Sequence, residues 1–195
     1  MIAMAQSLPA TGGGELTWRQ ASALELPFED NVFDAVISQQ GIQFFPYSSA
    51  GLREMARVTK QGGRLGATVW AASEQSPYLH SVFGMLTAQC GGDPVANSKV
   101  FASGGADEVR DWFTVAELRS VDIELVEATV VLPPVQEYLP DHLKALPPLS
   151  LGNYFELDKH AQSLLVQQIE NELSAFKTDA GLEVPFRSYI ATIRT

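Results

Sequence analysis

Between Val32 and Ser38 the chain carries a short unbroken apolar stretch, Ala35-Val36-Ile37, of the kind that suits a strand covered on both faces. Behind Ser48 and Ser49, either of which can cap a helix start, Leu52, Met55 and Ala56 with Val58 or Thr59 form one helical stripe, and Gly62 reads as its left-handed stop. Leu65 to Trp70 predicts the next strand. Ser76-Pro77 then opens a helix with Leu79, Val82, Phe83 and Leu86 inward. Cys90 to Gly105 is glycine-rich and polar and predicts a long loop, followed by a short helix over Ala106 to Phe113. Thr114-Val115-Ala116-Glu117 has the spacing of a capping box. Val121, Ile123 and Leu125 alternate with Asp122 and Glu124, predicting a strand that Pro133-Pro134 stops near Leu132. The prolines from Gln136 to Ser150 suggest an irregular, partly helical cover. Asp158 opens a long helix with Leu164, Leu165, Ile169, Leu173 and Phe176 on one face, and Val184 to Arg194 closes the chain as a strand. Leu16 to Gln20 predicts a further short strand near the start.

Composition narrows the classes this pattern can serve. A chain of 195 residues with 46% apolar content fits one globular domain over 1–195. No stretch approaches the roughly 20 apolar residues that span a bilayer. With 23 acids against 13 bases, a net charge of −10 disfavours nucleic acid, whose recognition needs clustered Lys and Arg. The single Cys90 forms no internal disulfide, which suits a reducing cytoplasm and leaves no cysteine-based metal cage. The apolar start has no basic n-region and is interrupted by Gln6 and Ser7, so it does not read as a secretory signal.

The densest signal runs from Trp18 to Trp70. Leu26-Pro27-Phe28-Glu29-Asp30-Asn31-Val32-Phe33-Asp34 leads into the first apolar strand, Ser38-Gln39-Gln40-Gly41-Ile42-Gln43-Phe44-Phe45-Pro46 leaves it, and Arg57-Val58-Thr59-Lys60-Gln61-Gly62-Gly63 introduces the next strand. These residues resemble the class I S-adenosylmethionine-dependent methyltransferases, in which the first two pieces flank the fourth strand of the sheet and the third introduces the fifth. The resemblance implies an incomplete doubly wound α/β sheet, mostly parallel with an antiparallel C-terminal strand, in which the first two strands are absent. Met1-Ile2-Ala3-Met4-Ala5-Gln6-Ser7-Leu8-Pro9 looks like the helix that follows the second strand. Read so, the chain begins just after the ribose-binding acid. Gly12-Gly13-Gly14 has no apolar strand before it and reads as a connector rather than the family's glycine-rich cofactor loop.

By the same resemblance Ser22 and Ala23 flank the adenine, with Ser22 where the family usually has Asp, and Ser38, Gln39 and Gln40 face the methionine part of the cofactor. Ser22 reads equally as a turn cap. Consecutive strand side chains point to opposite faces, so one of Gln39 and Gln40 is expected in the pocket, with Gln39 on the cofactor side and Gln43 toward the substrate. Phe44 and Phe45 read as core, and Asp34 as structural because it stands at the start of its strand. His80, His142 and His160 show no metal spacing, and any of them could act as a base, since imidazole titrates near neutrality. No Gly-x-Ser-x-Gly elbow points to a hydrolase.

The function implied is methyl transfer from S-adenosylmethionine to a small-molecule acceptor, under a substrate cover at 133–180. Weak or absent cofactor binding is expected from this truncated chain alone, and with it little activity. The alternative is a non-catalytic remnant that serves as an interaction or oligomerisation module. Without the first two strands, the edge carrying Val36 and Ile37 is left open, so a dimer or a complementing chain through that edge is expected.

Overall fold

A computed structural model describes residues 6–7, 14–146 and 148–195. Most of the glycine-rich and apolar start lies outside the described residues; Gln6 and Ser7 are helical. Four principal strands form one sheet in the order β1-β2-β6-β4, where β1 is Phe33–Gln39, β2 Thr59–Ala71, β4 Asp122–Leu132 and β6 Gly181–Arg194. The two-residue strands β3 (Phe101–Ala102) and β5 (Lys177–Thr178) pair with β2 and β6 respectively.

β1 and β2 pair in parallel, whereas β6 pairs antiparallel with both β2 and β4. The sheet is therefore mixed rather than mostly parallel, because inserting one reversed strand converts both of its pairings. Leu16 to Gln20, expected as a strand, is irregular. The ladder it would need is missing: among the described residues the outer edge of β1 has no partner strand. Arg19 instead donates to the Pro27 carbonyl at 2.9 Å and lies over the Phe28 ring, which ties this segment to the loop before β1.

Two helical layers cover the sheet. On one face α1 (Ser48–Val58) and α4 (Gly105–Val115) bury Leu52, Met55, Val109 and Phe113 against Leu65, Ala67, Val69 and Tyr189. On the other, α2 (Pro77–Gln89), α5 (Val135–Ala145) and α7 (Lys159–Glu172) pack around Leu86, Leu139, Leu143, Ile169 and Val184. Short helices α3 (Pro94–Ser98) and α6 (Pro148–Leu151) lie between them in sequence. The stretch expected as a loop from Cys90 to Gly105 thus holds α3 and β3; Asp93 accepts from the Val95 amide and Pro94 supplies the first helical residue.

Several local expectations give way to neighbours. Ser48 does not cap α1; its hydroxyl donates to the Ile42 carbonyl. Gly62 is left-handed, but α1 has already ended at Val58 and Gly62 turns the start of β2, where its amide donates to Thr195. Thr114 sits in the last turn of α4 and donates to the Arg110 carbonyl, so the capping box is not formed. Asp158 does cap α7, accepting from Ala161, yet Leu164 is 53% exposed and Val166 takes its expected buried place.

The Leu-Pro-Phe segment is held by one guanidinium. Arg57 donates to the Leu26 and Phe28 carbonyls, to Asp30 and twice to Glu54, which uses all five of its N–H groups. Glu54 in turn accepts from the Leu26 amide. The hydrogen bond from Arg57 holds the Glu54 carboxyl below its ordinary value of 4.5, so its contribution to stability is present above that pH and lost as pH falls through the lowered value. Chemical denaturation at a series of pH values is expected to show stability falling below about 4.5. Glu54→Gln should flatten that slope by less than one proton, at most about 1.4 kcal/mol per pH unit, with Asp34 and Glu170 keeping the rest. An unchanged slope would show that the clamp does not couple to folding.

Candidate functional site

Ligands of open α/β sheets sit beyond the carboxyl ends of the parallel strands. At that end two cavities flank the exit of β1 and share Phe44. One, of about 520 Å³, lies between the sheet and the α2 and α5 helices, lined by Gln39, Gln40, Trp70, Tyr78, Tyr138, His142 and Phe186 among others, with no charged residue in its wall. The other, of about 560 Å³, lies toward α3 and α4 and includes Gln43, Asp93, Lys99 and Glu108.

The backbone explains how both glutamines reach the first cavity. Gln40 has φ 47°, so it leaves the pleat that would send it to the opposite face from Gln39. The Thr68 hydroxyl and carbonyl hold that turn by accepting from the Gln40 amide, each at 3.1 Å. Its side-chain nitrogen donates to Ser188 at 3.0 Å on β6, while Oε1 is buried without a partner among the described residues. The expectation that only one of the two lines the pocket is therefore corrected. Gln43 is 7% exposed, with both amide atoms buried and without partners among the described residues, and it belongs to the second cavity, apart from Gln39 and Gln40.

The remaining expected residues are dispersed. Ser22 lies in a tight exposed turn bridged to Glu25, its hydroxyl accepting from the Leu24 amide at 3.2 Å, and neither it nor Ala23 lines either cavity. Ser38 is buried, with its hydroxyl 3.2 Å from where a Cβ on Gly41 would stand, so glycine there lets the chain pass close to Ser38. Phe45 packs onto Gly51 as core, whereas Phe44 is half exposed and forms cavity wall. Asp34 pairs with Lys60 at 2.8 Å on the surface, far from the strand's carboxyl end. His80 and His160 are exposed. Among the described residues no group of three or more His, Cys, Asp or Glu could hold a metal, and no helix is long and apolar enough to cross a membrane.

His142 is the histidine that reaches a cavity. Its Nδ1 is 2.8 Å from the Tyr78 hydroxyl, and its ring stacks with Tyr138 and lies beside Tyr78. Burial pushes the His142 imidazole below its ordinary value and the Tyr78 phenol well above its own, so both are neutral at pH 7. Tyr138 and His142 are one helical turn apart on α5, beside the buried stripe Val135, Leu139 and Leu143 that seats the helix. That spacing is readable in the sequence; the partner Tyr78 on α2 is not.

For a cofactor with several donors and acceptors, the orphaned amide atoms of Gln40 and Gln43 are the groups that fit, since buried polar atoms without partners favour a ligand that supplies them. Ser22 fits less well, because one lone pair is already used by Leu24 and no carboxylate replaces it.

Residues 1–67 match the family described as Methyltransferase domain. An uncharacterized Mycobacterium tuberculosis protein is 40% identical over 70 residues, 36% of this chain and 26% of that protein. A demethylmenaquinone methyltransferase of Corynebacterium glutamicum is 34% identical over 102 residues, covering 49% of this chain and 42% of that protein. The match spans about a quarter of the length of the mycobacterial relatives. A crystal structure of a candidate methyltransferase from an antibiotic biosynthesis pathway of Anabaena variabilis aligns over 99% of this chain and 79% of its own, with TM-score 0.56 and 13% identity. The α/β methyltransferase-like fold is thereby shared.

Proposed function

We propose that this chain, which is similar to the class I S-adenosylmethionine-dependent methyltransferases, serves methyl transfer to a small apolar acceptor bound in the cavity under α5. The observation that carries the reading is that cavity: an uncharged, aromatic-walled space at the carboxyl end of β1 with two glutamines at its polar end. Bound S-adenosylmethionine supplies a methyl group on a sulfonium. The chain's own part is to exclude water with Trp70, Tyr138 and Phe186 and to hold the acceptor in register. Gln39 and Gln40 offer amide groups at the strand end where cofactor and acceptor would meet, and Ser38 is buried next to Gln39 in the same strand. By resemblance Ser22 and Ala23 would flank the adenine from outside both cavities, and Gln43 serves the more polar neighbouring cavity. The segment 133–180 would serve as the cover through α5, whose Tyr138 and His142 line the cavity. The Corynebacterium glutamicum relative is named a demethylmenaquinone methyltransferase, a methyl transfer to a small molecule as proposed here. A cytoplasmic place accords with the buried thiol of Cys90, which burial keeps protonated.

A second reading, an interaction module, is favoured by one observation. Ile37 is 73% exposed on β1, whose outer edge is unpaired among the described residues. The partner for that edge is a second copy of the chain, because two β1 strands can pair antiparallel about a two-fold axis and bury both Ile37 side chains.

Titration of S-adenosylhomocysteine into the purified chain by calorimetry decides between the readings. Micromolar binding is expected for the methyltransferase reading. No heat at several temperatures, together with a concentration-dependent dimer in sedimentation that Ile37→Lys abolishes, would overturn it in favour of the module.

A further inference from the structure

Tyr78 is fully buried, and among the described residues His142 is the partner of its hydroxyl. A buried phenol that only accepted would strand its own proton, and stranding a donor costs more than leaving one lone pair unused. Tyr78 therefore donates to Nδ1 of His142. A neutral imidazole that accepts at Nδ1 carries its proton at Nε2. That atom has no hydrogen-bond partner among the described residues, and His142 lines the cavity.

The rest of the wall specifies what the N–H meets. Trp70 and Phe186 lie 5.6 Å apart, Tyr78 and Tyr138 5.7 Å apart, and Tyr138 and His142 are stacked at 5.6 Å, so the cavity is bounded by a cluster of mutually packed aromatic rings suited to an apolar body. No carboxylate, lysine or arginine lines it to pair with a charged ligand or to charge the imidazole.

We propose that His142, fixed in its Nε2–H form by Tyr78, recognises the acceptor through a hydrogen bond to an oxygen, so that the cavity selects an uncharged apolar molecule bearing an oxo or hydroxyl group. This rests on reading the cavity as the acceptor site and adds the acceptor's class to it. His142 is the specificity-determining contact. Tyr78 is a positioning residue that acts through it.

Three flat probes separate the parts by calorimetry or ligand-observed NMR: chromone, whose carbonyl only accepts; indole, whose N–H only donates; and naphthalene, which does neither. In His142→Phe the affinity of chromone relative to naphthalene is expected to fall about three- to tenfold, the worth of one hydrogen bond, while indole relative to naphthalene stays unchanged. His142→Gln, which keeps an amide donor near the Nε2 position, should retain most of the chromone preference. Tyr78→Phe should lower the chromone ratio and shift the 15N signature of His142 from one tautomer to a mixture; a merely structural tyrosine would weaken all three probes alike. An unchanged chromone ratio in His142→Phe, or a fall in the indole ratio instead, overturns the assignment. Titrating S-adenosylhomocysteine into the same samples keeps the two ideas apart. Cofactor binding with no chromone preference defeats only the histidine, and chromone preference without cofactor binding defeats only the methyltransferase reading.

Discussion

Phe113→Ala is expected to lower the unfolding free energy by about 3–5 kcal/mol, because the ring is fully buried and its removal leaves a cavity that the surrounding elements cannot collapse to fill. Phe113 lies on α4 among Leu52, Met55 and Val109 and against Tyr189 of β6, so it joins both helices of that face to the sheet. The helix cannot simply slide to close the gap. The guanidinium of Arg53 on α1 donates to the Val115 carbonyl at its last turn, and Gly104 donates to Glu108 at its first, so both ends are tied. For a chain of this length the loss corresponds to a fall in Tm of about 10 °C. Val115→Ala, on the exposed side of the same helix, should change stability by no more than about 0.5 kcal/mol. Urea denaturation with an unchanged m-value reads the comparison. A loss below about 1 kcal/mol in Phe113→Ala would mean that α4 is not anchored through this ring.

How much of this the sequence carried follows from the range of each interaction. The Val32–Ser38 apolar run, the Pro77 helix start and the Asp158 cap rest on neighbours a few residues away, and each appears within a residue of its expected place. The Thr114 box and the Ser48 cap are equally local patterns, yet both lost to competing acceptors. Thr114 found the Arg110 carbonyl inside a helix already formed, and Ser48 found Ile42 across a turn. Strand pairing was less legible. Leu16 to Gln20 has the composition of a strand, but a strand exists only where a ladder receives it, and Arg19 is drawn to Pro27 and Phe28 instead.

The candidate site divides in the same way. Gln39 and Gln40 were identifiable as strand-end residues, but their shared pocket depends on the left-handed turn at Gln40, which the Thr68 contacts impose from β2. Gln43 followed the same motif into the other cavity because the turn Ile42–Phe44 carries it round the strand end. His142 was visible only as one of three histidines. What distinguishes it is contact with Tyr78, 64 residues away in sequence and on a different helix.

Leu139→Ala tests whether that aromatic wall depends on the seating of α5. Leu139 is wholly buried, flanked by Val135 and Leu143 one turn to either side, and it packs in the core shared by α2, α5 and α7. Truncation should cost about 2–5 kcal/mol, the range for a buried leucine. The same helix aims Tyr138 and His142 at the cavity, so a change in its seating moves both rings at once. Affinity for chromone and for naphthalene is therefore expected to fall together, by more than about tenfold, because aromatic packing is lost along with the hydrogen bond. This differs from His142→Phe, where only the ratio between the probes moves. Leu164→Ala on the exposed face of α7 should leave stability within about 0.5 kcal/mol and both affinities unchanged. If Leu139→Ala lost stability but bound both probes as before, the cavity wall would be set by Tyr78, Trp70 and Phe186 without help from α5, and the cover would be scaffold rather than part of the binding surface.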